Sequence, residues 1–132
     1  MKIGIIKEGK TPPDKRVPLS PTQCQEIKQK YPQIDLVVQK SNIRKFKNED
    51  YANAGIDLVD EVTDCDVLLG VKEVPVEDLI ANKKYFFFSH TFKKQPYNRK
   101  LLQAIIEKNI QLSDWESITN SNGQRLIAFG RF

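Results

Sequence analysis

The chain alternates short apolar runs with stretches of helical periodicity. Ile3 to Ile6 reads as a first buried strand. Lys7 to Leu19 is a polar loop carrying Pro12, Pro13 and Pro18. Ser20-Pro21 then opens a helix, with Ser20 as N-cap, Pro21 at the first helical position and Gln23 three residues past the cap. Cys24, Ile27 and Tyr31 fall on its inner face at helical spacing, and Pro32 ends it. Ile34 to Val38 is a second strand. Asn48 is expected to cap a short helix through Ala54, stopped by Gly55. Ile56 to Val59 is a third strand, and Val67 to Val71 is the near-continuous apolar run of a central parallel strand. Pro75 to Ile80 is a short helix or turn. Lys84 to Phe88 is the next strand, and Pro96 to Lys108 a helix whose Leu101, Leu102, Ile105 and Ile106 face the sheet. Ile110 to Leu112 starts a last strand, Asn120 to Gly123 forms a turn, and Arg125 to Phe129 is extended beyond it.

The order β-α-β-α-β-β-α-β predicts an α/β fold, an open, mainly parallel sheet with helices on both faces. In such sheets ligands bind beyond the carboxyl ends of the strands. Three strand ends carry reactive side chains. The loop after the first strand holds Lys7, Glu8, Lys10, Lys15 and Arg16; Val67–Val71 runs into Lys72-Glu73; Tyr85–Phe88 runs into Ser89-His90. A planar guanidinium can bind a carboxylate with two parallel hydrogen bonds. A lysine can serve as general base or steady an oxyanion, and a histidine titrates near neutrality. Together they suit an amino acid or 2-oxo acid whose carbon–nitrogen bond is made or broken. Taken singly, Arg16 also reads as a loop-tying residue, Lys72 as a solvated strand end and His90 as a structural histidine. Glu8, Glu73 and Glu116 are candidate carboxylate partners for this set, with surface charge the plainer reading of each.

Composition narrows the field. The 132 residues fit one domain, and 39% hydrophobic content allows one real core. No apolar run approaches the ~20 residues of a membrane span, and the N-terminus lacks the long apolar region of a signal peptide, so a cytoplasmic protein is expected. Cys24 and Cys65 make no metal-ligand spacing, and with a single histidine no metal site is expected. The net charge of +4 suits an anionic small-molecule partner. The Arg44-Lys45-Phe46-Lys47 cluster has no recognition motif beside it, so no nucleic-acid partner is expected. Neither a GxGxxG loop, a Walker motif nor a GxSxG elbow is present.

At these same residues the chain resembles the alanine dehydrogenase and pyridine-nucleotide transhydrogenase N-terminal domain family. The carrying stretches are Ile3-Gly4-Ile5-Ile6-Lys7-Glu8, Lys15-Arg16-Val17-Pro18-Leu19-Ser20-Pro21, Asp50-Tyr51 with Ala54-Gly55, Val71-Lys72-Glu73 and Phe87-Phe88-Ser89-His90. Ser113-Asp114-Trp115-Glu116 and Asn122-Gly123-Gln124-Arg125 through Gly130 look like the saccharopine dehydrogenase (NAD, L-lysine-forming) branch. Asp14, after two prolines, stands near where family members often carry Glu, and Thr91-Phe92-Lys93-Lys94 departs from the usual continuation.

The resemblance implies a Rossmann-like or flavodoxin-like substrate domain over residues 1–132, with the nucleotide-binding domain absent from this chain. It implies that Arg16 holds a substrate carboxylate, that Lys72 and His90 form an acid/base pair with Lys72 also touching substrate, and that Glu73 and Glu116 tune the pair. The implied reaction is NAD-dependent cleavage of saccharopine to lysine and 2-oxoglutarate, or its reverse, through an imine that adds water and collapses. The cofactor would be bound mainly outside these residues, leaving the isolated chain inactive. An alanine dehydrogenase-like activity and a non-catalytic ligand-binding module are the alternatives.

Overall fold

A computed structural model describes residues 1–89 and 98–127. His90, the expected helix start at Pro96 and the last part of the Arg125–Phe129 segment lie outside the described residues.

Six strands form one sheet: β1 (Lys2–Ile5), β2 (Asp35–Gln39), β3 (Asp57–Val59), β4 (Val67–Leu69), β5 (Lys84–Phe87) and β6 (Gln111–Asp114). Their order is β3-β2-β1-β4-β5-β6, and every pairing is parallel. The chain moves outward from β1 to β3 and then crosses to the other side at β4. The β1/β4 junction is therefore the point where the strand order reverses, the place where such sheets open a crevice for ligands.

Side-chain alternation divides the core between the two faces. On β2, Leu36 and Val38 point to one face, with Ile5, Cys24, Tyr51 and Ile56, under helices α1 (Pro21–Lys30) and α2 (Asn48–Asn53). Val37 points to the other, with Leu68, Tyr85 and Phe87, under α3 (Arg99–Glu107). Each fully buried side chain of this size contributes ~1.5–3 kcal/mol of burial free energy. The expected helix-covered parallel sheet is what forms.

The start of α1 follows the sequence rule. Ser20 Oγ accepts the N–H of Gln23 at 3.2 Å, and Gln23 Oε1 accepts that of Ser20 at 2.9 Å. Other local expectations are corrected. Asn48 does not cap α2: its side chain accepts the N–H of Ser41, and Asp50 takes the N–H of Lys47 at the cap position. Tyr31 sits past the end of α1 and is exposed. On α3, Leu101, Ala104 and Ile105 are buried, but Leu102 and Ile106 are 43% and 70% exposed. Each residue advances about 100° around a helix, so a single contact line onto the sheet cannot bury all four expected positions. Both cysteines are buried and free, and burial pushes the Cys24 thiol up to about 11.

Candidate functional site

The loop after β1 returns to β4 through Glu8. This carboxylate is buried, and its two oxygens accept the backbone N–H groups of Val71, at 3.1 Å, and Lys72, at 2.7 Å. Beyond the last paired residue of a parallel strand the backbone donors need partners, and Glu8 supplies them across 64 positions of sequence. Gly70 makes the approach possible: a Cβ there would lie 3.0 Å from Ile6 Cδ1 and 3.3 Å from Glu8 Oε2. Burial raises the Glu8 carboxyl above its ordinary range, partly offset by the two N–H groups.

Further along the same loop, Asp14 and Arg16 form a fork. Arg16 Nε donates to Asp14 Oδ1 at 3.0 Å and Nη2 to Oδ2 at 2.7 Å, while the backbone N–H of Arg16 also reaches Oδ1, at 2.9 Å. Asp14 is buried and its partner half exposed. The Arg16 guanidinium lowers the Asp14 carboxyl, and Asp14 raises Arg16 in return. Lys10 reaches the buried Glu73 at 2.8 Å.

The opposite side of the rim is tied by Asp114 at the end of β6. Its Oδ2 accepts both the N–H of Ser89, at 3.0 Å, and the Ser89 hydroxyl, at 2.5 Å; its Oδ1 accepts the N–H of Glu116 at 2.9 Å. Trp115 folds back over β5, its ring 5.0 Å from that of Phe86, and donates its indole N–H to the carbonyl of Gly70 at 2.7 Å. Glu116 is buried; Arg125 holds its Oε1 at 3.0 Å, and its Oε2 has no hydrogen-bond partner among the described residues.

Lys72 lines two of the hollows along the carboxyl edge. One, of about 510 Å³, is bounded by Lys10, Asp14, Lys15, Arg16, Lys45 and Lys72, closed by Pro12 and Pro13. The other, of about 330 Å³, has Glu8, Glu61, Glu73, Glu77 and Asp78 beside Lys7 and Lys72. Arg16 and Lys72 therefore share one basic hollow, with Glu73 in the adjoining acidic one. Glu116 stands at the end of β6, joined to this rim through the Trp115 contact to Gly70. His90 lies outside the described residues; its chain neighbour Ser89 is fully buried.

The sequence reading did not identify the Asp14–Arg16 fork, the Asp114 tie or the Trp115 bridge. Asp14 carried a usable signal, since Asp commonly accepts an N–H two residues ahead. The other two bridge segments distant in sequence and leave no local mark.

Among the described residues no group of three His, Cys, Asp or Glu side chains could hold a metal ion. Nor do these residues fit a dinucleotide pyrophosphate. Ser20 and Gln23 already occupy donors at the start of α1, and the β1–α1 loop carries prolines where a phosphate-binding turn needs glycines. No described helix is long and apolar enough to cross a membrane.

Comparison with known proteins agrees with this fold. The family model described as alanine dehydrogenase/PNT, N-terminal domain, matches residues 4–132. The chain is 34% identical to the alpha-aminoadipic semialdehyde synthase of Arabidopsis thaliana, covering 98% of this chain and 13% of that protein. It is 35% identical to the mitochondrial protein of that name in Mus musculus, over 90% of this chain and 13% of the relative. It is 32% identical to the saccharopine dehydrogenase [NAD(+), L-lysine-forming] of Emericella nidulans, over 98% and 35%. Among solved structures, an L-alanine dehydrogenase superposes with a TM-score of 0.76 at 20% identity, over 94% of this chain and 35% of that one. The transhydrogenase of Sinorhizobium meliloti superposes with a TM-score of 0.72 at 16% identity, over 89% and 36%. The chain thus spans about an eighth of the length of the first two relatives and about a third of the third. It belongs to the alanine dehydrogenase/PNT N-terminal domain family.

Proposed function

We propose that this chain is the substrate-holding domain of an NAD-dependent oxidoreductase acting on the CH–NH group of an amino acid, with saccharopine, or lysine plus 2-oxoglutarate, as substrate. The observation that carries the proposal is the basic hollow shared by Arg16 and Lys72 at the strand-order reversal. The name of the 32% identical relative, saccharopine dehydrogenase [NAD(+), L-lysine-forming], supports the choice of substrate.

The family resemblance gives each residue a role. Arg16, oriented by the Asp14 fork, holds a substrate carboxylate. The Lys72 amine, its backbone fixed by Glu8, works with His90 in moving protons to and from the nitrogen and oxygen of the reacting carbon. Glu73 and Glu116 set the electrostatic surroundings of the pair. A buried carboxylate near an amine or imidazole favours its charged form. NAD is the proposed hydride acceptor, held mainly by residues outside this domain.

The test is NADH oxidation by the full-length gene product. Lysine plus 2-oxoglutarate is supplied in one assay and ammonium plus pyruvate in another. Turnover with the first pair only, reduced about 10²- to 10⁴-fold in Lys72→Ala and His90→Ala, is the expected outcome. Turnover with the second pair only assigns an alanine dehydrogenase activity, and turnover with neither overturns the dehydrogenase reading.

A further inference from the structure

Not all the cations of the basic hollow serve the roles above. Arg16 is engaged with Asp14, and Lys10 with Glu73. Lys15 and Lys45 line the same hollow, and neither forms an ion pair with any described residue. Five cationic side chains surround the space against one carboxylate, Asp14, which is already matched. Like charges gathered on one concavity repel one another and are relieved by an anion.

The two lysines are not loosely hung. The backbone N–H of Lys45 donates to the carbonyl of Lys15 at 2.8 Å, stitching the loop after β2 to the loop after β1. Next to Lys45, Arg44 is buried: it donates to the carbonyl of Gln39 and stacks over the Tyr51 ring, 5.3 Å from its centroid. On the other side, Phe46 packs edge-on against the same ring at 6.4 Å. Next to Lys15, Asp14 is buried and Arg16 is forked to it. Each lysine thus rises from a backbone fixed on both sides, with an ammonium group left at the hollow.

We infer that Lys15 and Lys45 form a second carboxylate subsite, which takes the distal carboxylate of a dicarboxylic oxo acid or amino acid whose first carboxylate lies on Arg16. This inference rests on the function proposed above for the choice of ligand and adds two residues that set its specificity. Ammonium groups on flexible stems bind as point charges and tolerate some variation in chain length, which suits the far end of a substrate rather than its reacting centre.

The experiment compares binding of 2-oxoglutarate and 2-oxobutyrate to this chain by NMR titration, at low and at high salt. The wild-type chain is expected to bind the dicarboxylate about five- to tenfold more tightly at low salt, with the margin shrinking as exposed charges are screened. Lys15→Met with Lys45→Met is expected to remove the margin and leave 2-oxobutyrate binding unchanged. Lys83→Met with Lys84→Met, on the amino edge of the sheet, controls for the loss of two charges and is expected to preserve it. A margin that survives the Lys15/Lys45 substitution, or that the Lys83/Lys84 substitution removes equally, overturns the proposal. So does a wild-type chain that does not distinguish the acids, including one that binds neither. The dehydrogenase reading fails separately. If the margin depends on the two lysines but the full-length protein turns over no amino acid, the subsite stands alone. If turnover needs lysine plus 2-oxoglutarate and the Lys15/Lys45 variant keeps its KM for 2-oxoglutarate, only the subsite falls.

Discussion

Glu8 holds Lys72 in place through the backbone: its carboxylate accepts the Lys72 N–H at 2.7 Å and, with its second oxygen, the Val71 N–H. This joins the end of β1 to the end of β4 where the strand order reverses. Glu8→Ala removes the acceptor of two donors at least partly withdrawn from water and is expected to cost roughly 2–4 kcal/mol of unfolding free energy. Glu8→Gln retains one acceptor oxygen and is expected to cost about half as much. Urea denaturation at neutral pH measures both, and equal stability of Glu8→Ala and wild type would refute the tie.

Glu8 also has a pH signature. Burial raises its carboxyl in the folded state, so the native chain binds that proton more tightly than the unfolded chain does. The resulting contribution to stability is full below the unfolded value and is lost as pH rises through the folded one. Glu8→Gln lacks this term. The advantage of the wild type over Glu8→Gln is therefore expected to be largest at and below the ordinary glutamate value and to shrink as pH rises through the raised folded value.

The Asp14–Arg16 fork titrates in the opposite sense. Arg16 lowers the Asp14 carboxyl, so the pair contributes stability above the ordinary aspartate value, and that contribution is lost as pH falls through the lowered folded value. Arg16 is half exposed, which limits the effect to about 1 kcal/mol. Asp14→Asn is expected to destabilise by that amount at neutral pH and to show a shallower acid limb. An unchanged acid limb would count against the fork.

Asp114 gathers three donors: the N–H and hydroxyl of Ser89 and the N–H of Glu116. Asp114→Ala is expected to cost roughly 2–4 kcal/mol and Ser89→Ala about 1 kcal/mol. The double variant should lose less than the sum, because both changes remove the same hydroxyl contact. Additive losses in chemical denaturation would rule out that shared bond.

Gly4 lies where β1 packs on Cys65: a Cβ at this position would sit 2.8 Å from Cys65 Sγ and 3.2 Å from Leu68 Cδ2. Gly4→Ala is expected to lower stability by ~1–3 kcal/mol through overpacking. Adding Cys65→Ala removes the nearest atom and should restore part of the loss. A thermal melt in which the second change brings no recovery would place the strain elsewhere.

The sequence by itself determined the elements and the edge of the sheet on which to look for chemistry. An apolar run such as Val67-Leu68-Leu69, within a chain that alternates strand and helix patterns, suits a central strand, and Ser20-Pro21 with Gln23 starts α1 through contacts three residues apart. Such local terms are written in spacing. The sequence also placed Arg16, Lys72 and Glu73 at strand ends, and folding put Arg16 and Lys72 around one hollow. Only the tertiary structure decided the rest. The contact face of α3, which leaves Leu102 and Ile106 in solvent, depends on how the helix lies on the sheet. The tie from Glu8 to Lys72, the tie from Asp114 to Ser89 and the stitch from Lys45 to Lys15 join segments far apart in the chain. A hydrogen bond of this kind exists because strand order and register bring donor and acceptor together, and no local spacing encodes that meeting.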